Sequence, residues 1–234
     1  MFAFIKEYFV DFYRLFYPKL CGGCDVPLLK GEHHLCLHCR IALPFTNFEN
    51  IKDNPVERVF YGRVDIENAT TLFYFTKGEK VQHILHNIKY NNNKELALYI
   101  GRVFGERLIN TKYYNNITTI IPTPLHPQKE HLRGYNQSAL FAEGMNEILQ
   151  KKLSLQNLQR TLNTESQTNK NRTERWENVE NAFNVVHPQE LQQQHILLID
   201  DVLTTGATLE ACAQTLKNAA NCKVSIATIA YALQ

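Results

Sequence analysis

His195-Ile-Leu-Leu-Ile-Asp-Asp-Val-Leu-Thr-Thr-Gly-Ala-Thr208 is the stretch whose reading decides the fold. Ile196, Leu197, Leu198 and Ile199 form a short unbroken apolar run, the pattern of a strand buried on both faces of a parallel sheet. The run ends in two adjacent carboxylates, Asp200 and Asp201. A hydroxyl-rich turn follows: Thr204, Thr205, Gly206, Ala207 and Thr208. Beyond it Leu209, Ala213, Leu216 and Ala220 recur at helical spacing. A turn from a strand into a helix N-terminus presents free backbone N–H groups and the positive end of a dipole. It is a ready phosphate cradle, and Gly206 lets the backbone approach the anion. The paired carboxylates would repel a phosphate, and suit neutral hydroxyls or a hydrated divalent cation instead. Phosphate on one side and diol plus metal on the other describe a sugar phosphate.

The totals agree with one α/β domain carrying a small appendage: 234 residues, 44% of them hydrophobic. No apolar run is long enough to cross a membrane. A formal net charge of +2 does not call for a nucleic-acid partner. The first ten residues lack the basic start and small-residue cleavage site of a signal peptide, so a cytoplasmic location is expected. Thiols stay reduced there, and cysteine spacing is read as metal chemistry rather than disulfides.

Phe2, Ile5, Phe9, Phe12 and Phe16 predict an amphipathic helix over residues 2–16, with Pro18 just beyond. Its polar face is not strongly basic, so it is expected to dock on the protein rather than on a membrane surface. Cys21-Gly-Gly-Cys24 and Cys36-Leu-His-Cys39 follow, with eleven residues between the pairs. Two such knuckles close a tetrahedral thiolate site, and Gly22 and Gly23 permit a tight turn. The metal ligands are therefore Cys21, Cys24, Cys36 and Cys39 around a structural Zn²⁺, with no open position for catalysis. His33, His34 and His38 read as surface residues, Cys212 and Cys222 as small core residues. Pro44 and Pro55 bracket a polar connector, which divides the chain into a helix and zinc module at 1–44 and a main domain at 58–234.

In the main domain, strands are predicted at 70–76, 118–121 and 223–230, and helices at 79–90, 95–109 and 137–150. Pro122 and Pro124 stop the second strand's ladder and turn the chain at its carboxyl end, the edge where open α/β sheets bind ligands. Residues 160–181 lose apolar periodicity; with Trp176 beside Arg172 and Arg175, they read as a ligand-closing lid or a nucleic-acid contact. The predicted fold class is α/β: an open, mostly parallel sheet flanked by helices, with a small four-cysteine zinc module at its N-terminal side.

The run from Leu198 to Thr208 resembles the fingerprint of type I phosphoribosyltransferases. The chain as a whole resembles the competence protein F (ComF) family of phosphoribosyltransferase-like proteins with an N-terminal zinc finger. Tyr17-Pro18 leads into the first knuckle, and Cys39-Arg40 into Leu43-Pro44. Ile88-Lys89-Tyr90, Ile121-Pro-Thr-Pro-Leu125 and Arg133-Gly-Tyr-Asn-Gln-Ser138 come next. Arg160-Thr161, Gln167-Thr168, Arg175, Asn178 and Ala182-Phe183 complete the match. The resemblance implies phosphoribosyl pyrophosphate as ligand, with Mg²⁺ on its pyrophosphate. Thr204, Thr205, Gly206, Ala207 and Thr208 would hold the 5′-phosphate, and Asp200 and Asp201 the ribose hydroxyls as the catalytic pair. Pro122, Thr123 and Pro124 would form the pyrophosphate loop, often with a strained peptide bond, and Arg133 would contact the pyrophosphate. One departure stands in the loop after Pro124. It is commonly basic but reads His126-Pro-Gln-Lys-Glu-His-Leu here, leaving Lys129 and Arg133 as its fixed positive charge.

As an enzyme the chain would displace pyrophosphate at the anomeric carbon with a nitrogen nucleophile, yet neither a general base nor an acceptor pocket can be read. The family's name implies a place in natural transformation. The rival reading is a non-catalytic module that binds single-stranded DNA through Lys89-Tyr90, Arg133-Gly-Tyr135 and Arg175-Trp176. A third gives the zinc module and first helix to a partner such as a DNA helicase or translocase.

Overall fold

Ile196, Leu197, Leu198 and Ile199 lie in the central strand of a five-stranded sheet in the computed structural model, which describes residues 16–161 and 182–232. Nearly all of the predicted helix at 2–16 and of the polar stretch at 160–181, with Arg172, Arg175 and Trp176, falls outside these residues.

The second cysteine knuckle runs into α1 (Leu37–Ala42), which carries Cys39 and is capped by Cys36, and the short α2 (Pro55–Arg58) follows. The α/β part then runs β1 (Ala69–Phe75), α3 (Lys80–Tyr90), α4 (Lys94–Leu108) and β2 (Thr119–Pro122). Next are α5 (Pro127–Arg133), α6 (Gln137–Leu149) and β3 (Lys152–Leu153). A two-stranded antiparallel ribbon, β4 (Leu158–Arg160) with β5 (Phe183–Val185), precedes β6 (His195–Leu203), α7 (Ala207–Ala219) and β7 (Lys223–Ala232). The sheet order is β1-β7-β6-β2-β3, and every pairing in it is parallel. The fold is therefore α/β as the apolar run implied. No helix of the described residues is long and apolar enough to cross a membrane.

Both faces of β6 are buried, and its side chains divide between two cores. Leu197 and Ile199 join α3, α4 and α6, with Leu96, Phe104 and Phe141 fully buried there. Ile196 and Leu198 join α7, α2 and the ribbon, through Leu209, Leu216, Val56 and Leu158. Cys212 and Cys222 belong to this second core, as small apolar residues.

Three elements differ from expectation. The strand does not end at the carboxylates: β6 continues through Asp200 and Asp201 to Leu203, paired with β7 as far as Tyr231. Pro122, likewise, closes β2 in register with Ile199, since a proline at a strand's end has no ladder N–H to lose. Residues 127–133 are helical rather than looped. His126 caps Gln128 N, Pro127 sits in the first turn, and Gly134 at φ 74° stops the helix. All described peptide bonds are trans.

Helices α4 and α6 touch backbone to backbone. A Cβ on Gly144 would lie 2.1 Å from the Leu98 carbonyl oxygen, and one on Gly101 would lie 2.4 Å from that of Phe141. Neither neighbour is a side chain that could swing away. Gly144→Ala is therefore expected to destabilise the protein by about 2–3 kcal/mol despite alanine's better helix propensity. A denaturant midpoint equal to wild type would contradict this close approach.

Candidate functional site

The cysteine knuckles sit against the carboxyl-terminal turn of α3 and the amino-terminal turn of α4. Asn87 Nδ2 donates to Gly22 O at 2.9 Å, and a Cβ on Gly22 would lie 2.5 Å from Leu96 Cδ2. Gly22 and Gly23 do not take left-handed backbone; Asp25 does, at φ 57°. The first glycine thus serves close packing, and the second faces Cys39 Sγ at 3.2 Å from where its Cβ would be. The four sulfurs of Cys21, Cys24, Cys36 and Cys39 all lie within 4.8 Å of one another, and Cys24 and Cys36 are 3.8 Å apart. Four thiolates at 2.3 Å around a tetrahedral ion stand about 3.8 Å apart, so the cluster can hold a metal such as zinc. Backbone N–H groups of Gly23 and Cys36 point at Cys21 Sγ, and that of Cys39 at Cys36 Sγ, offering donors to sulfur charge. The histidines take no part in the cluster: His33 and His38 are exposed, while His34 is half-buried and stacks on Tyr99 at 5.0 Å.

Asp200 and Asp201 lie at the carboxyl end of the sheet, where β2 and the start of α6 meet β6. Asp200 Oδ1 accepts from Thr123 Oγ1 at 2.8 Å, Ser138 Oγ at 3.0 Å and Asp201 N at 2.8 Å. Asp201 Oδ2 accepts from Gln137 Nε2 at 2.7 Å and pairs with Lys89 Nζ at 2.9 Å. Gln137 is a hub, since its Oε1 takes Arg133 Nη1 at 2.8 Å. The guanidinium of Arg133 in turn lies 5.5 Å from the Tyr90 ring centroid. Asn136 fixes this assembly to the sheet by capping Ser138 N and donating to Thr123 O at 2.9 Å. Thr123, Arg133, Asp200 and Asp201 are thus brought together, with Pro122 and Pro124 framing Thr123. The structure does not describe the Lys129 side chain.

The sequence offers Lys89 only as a DNA contact and Gln137 and Ser138 only as part of the Arg133–Ser138 match; none of the three is expected to hold the carboxylates. Gln137 and Ser138 begin α6, and the asparagine-capped helix start is the one local signal that would have placed them at the strand ends. Lys89 arrives from the far end of α3, and nothing in its neighbourhood announces a carboxylate partner.

Burial and the adjacent Asp201 charge push the Asp200 carboxyl up to about 6, against the pull of the Thr123 and Ser138 hydroxyls. An acid held above its unfolded value binds its proton more tightly when folded. Stability then falls as pH rises from about 4 to about 6, and the loss is complete above the folded value. Asp200→Asn is expected to flatten this decline, measured by urea unfolding across that range without divalent cations. A variant–wild-type difference constant with pH would contradict it.

The turn after β6 is built for close approach. Gly206 is the N-cap of α7 and lies at φ 78°, so no side chain occupies the helix's free N–H groups. Gly206 is buried against Val59 and Phe60, while Thr204, Thr205, Ala207 and Thr208 are exposed around it. Arg63 supports the turn from behind: Nη1 donates to Thr205 O at 2.8 Å, and Nη2 pairs with Glu210. That pairing offsets the one acidic side chain in the first turn of α7. Arg63 lies 142 residues before Thr205, so no local pattern could connect them.

Residues 138–234 match the family model described as the phosphoribosyl transferase domain. The "DNA utilization protein YhgH" of Escherichia coli O6:H1 is 25% identical over 214 residues, covering 85% of this chain and 91% of that protein. The "Competence protein ComFC" of Bacillus subtilis is 27% identical over 198 residues, covering 85% of this chain and 78% of its own length. Among solved structures, an adenine phosphoribosyltransferase from Leishmania tarentolae aligns at 13% identity and a TM-score of 0.38, over 76% of this chain and 88% of that one.

Proposed function

We propose that this chain, which carries a phosphoribosyl transferase domain and is similar over most of its length to proteins named for competence and DNA utilization, binds phosphoribosyl pyrophosphate with Mg²⁺ in the service of DNA uptake. One observation carries the reading: two carboxylates held by five polar contacts at the sheet edge, one turn from an α7 N-terminus capped only by glycine. The exposed N–H groups of that helix start bind the 5′-phosphate, and the hydroxyls of Thr204, Thr205 and Thr208 surround it. Asp200 and Asp201 accept hydrogen bonds from the ribose hydroxyls. Lys89 neutralises one of the two charges, and Gln137 relays Arg133 toward the pyrophosphate side. Carboxylate oxygens fit Mg²⁺, which prefers one or two carboxylates plus substrate phosphates; when bound it supplies charge that eases departure of pyrophosphate. The cysteine cluster holds a structural Zn²⁺, and the cytoplasm is the compartment that keeps its thiols available.

Asp201→Ala tests the site. It removes a ribose acceptor and leaves Lys89 and Gln137 without their partner, so affinity for phosphoribosyl pyrophosphate should fall about tenfold or more in calorimetry with Mg²⁺. No binding by the wild type at millimolar ligand, or binding unchanged in the variant, would overturn the sugar-phosphate reading. A pyrophosphate-release assay across amine acceptors then separates a transferase from a binding protein.

A second reading, single-stranded DNA, is favoured by Tyr90. Its ring is 65% exposed, beside Lys89 and facing the Arg133 guanidinium, as a base-stacking platform needs. Tyr135, which the sequence offered for the same purpose, is only 8% exposed and its hydroxyl donates to Ile88 O, so it is structural. Binding that fails at low salt, or that does not weaken as salt rises, removes this reading.

A further inference from the structure

Of the five partners that hold Asp200 and Asp201, Lys89 alone carries a charge. Its Nζ stands 2.9 Å from Asp201 Oδ2, with the lysine side chain 22% exposed and that of the aspartate 10%. The pair is therefore largely withdrawn from water, and salt screens it less than it would a surface pair. Arg133 stands one residue further off, on Gln137 Oε1.

The helix turn that carries Lys89 is fixed by the two residues before it. Asn87 Nδ2 donates to Gly22 O in the first cysteine knuckle, and the Tyr135 hydroxyl donates to Ile88 O. Asn87 and Tyr135 are both buried. Holding a lysine ammonium costs the rotamer entropy of a four-carbon stem. Here the backbone beneath that stem is already set, so the ammonium meets Asp201 at less cost.

Adjacent carboxylates at a sheet edge are oxygen ligands of the kind that hydrated divalent cations take. Asp201 Oδ2 already accepts from an amide and an ammonium, and a cation approaching that oxygen meets like charge. A metal seated there ahead of the ligand would also take acceptors that the ribose hydroxyls need.

We propose that Lys89 is a specificity-determining residue of this site, whose ammonium holds the Asp201 carboxylate against free divalent cations. The two carboxylates then keep one uncompensated charge between them, and Mg²⁺ enters with the pyrophosphate of the ligand rather than before it. This order of entry rests on the sugar-phosphate reading; the exclusion of free metal concerns the carboxylates alone.

Titration of the full, zinc-loaded chain with Mn²⁺, followed by the electron paramagnetic resonance of the free ion, tests the exclusion. Mn²⁺ stands in for Mg²⁺ at carboxylate oxygens. Lys89→Met should bind Mn²⁺ about tenfold or more tighter than wild type, as removal of an ammonium beside the ligand oxygen would. Lys89→Arg keeps the charge and should bind it as weakly as wild type. Adding Asp201→Asn to Lys89→Met should abolish the gain. A lysine with a merely structural role would lower stability on removal without raising metal affinity. Lys89→Met binding Mn²⁺ no tighter than wild type overturns the proposal, as does a gain equalled by Lys89→Arg or one that survives Asp201→Asn. Should Lys89→Met fail to fold, Lys89→Gln must show the same gain, and its absence there overturns the proposal equally. The titration contains no phosphoribosyl pyrophosphate, so its failure removes the role of Lys89 alone. A wild type that never binds that ligand removes the sugar-phosphate reading and the order of entry, and leaves the measured exclusion in place.

Discussion

Cys39→Ser is expected to release the metal from the cysteine cluster and to lower the thermal midpoint by on the order of 10 °C or more. The size follows from where the cluster sits. Cys21 and Cys39 are fully buried, and they share a core with Leu96, Ile100 and Phe141 rather than standing apart as a tethered finger. The binding free energy of a structural zinc is folding free energy, about 10 kcal/mol in small zinc peptides, though part of this core would survive its loss. Several kcal/mol in a domain of this size moves the midpoint by about 2–4 °C each. Without the ion, the Gly22 knuckle loses what holds it on Leu96, and the Asn87 Nδ2 bond to Gly22 O goes with it. Metal quantification and a melting curve on reduced protein check both halves. Cys222→Ser, in the other core, should keep its metal in full. Metal retained at wild-type stoichiometry by Cys39→Ser would sink the four-cysteine assignment.

The β6 run and the knuckles could be read from sequence because their determinants are local. An unbroken apolar tetrapeptide has to be covered on both faces, and two C-x-x-C pairs need only a chain reversal to converge. The contacts that complete the site are not of that kind. Lys89 reaches Asp201 from a different layer, and Arg63 reaches Thr205 across most of the chain. Their side chains look like any exposed cation until the fold is assembled. Gly101 and Gly144 were equally silent, because a helical glycine spaced for packing resembles one that is merely tolerated. The continuation of β6 past Asp200 had a similar cause. Two carboxylates read as the end of a strand unless hydroxyl and amide partners wait for them, and Thr123, Ser138 and Gln137 come from elsewhere. Local pattern therefore located the strand and the turn after it, and long-range packing determined how the two carboxylates are held.

Gly206→Val should damage both the turn and the ligand it is proposed to hold, and the two effects can be told apart. At φ 78° a β-branched residue is strained in a way glycine is not, and a Cβ there would lie 2.9 Å from Val59 Cγ1 and 3.2 Å from Phe60 Cε1. Left-handed strain and overpacking together predict about 3 kcal/mol or more of destabilisation. A backbone that shifts to relieve this clash also carries the N–H groups of α7 away from any phosphate, so affinity for phosphoribosyl pyrophosphate should fall about a hundredfold or more. Gly206→Ala separates these effects. It keeps the φ penalty, but its single carbon meets Val59 and Phe60 side chains that can give, so the fold should survive with a smaller loss. If the ligand binds through this turn, the alanine variant still loses affinity out of proportion to its stability, and Thr208→Ala, which leaves the backbone alone, loses less. A folded Gly206→Ala protein that binds phosphoribosyl pyrophosphate as tightly as wild type would mean that the phosphate is held somewhere else, with Gly206 conserving only the path of the chain from β6 into α7.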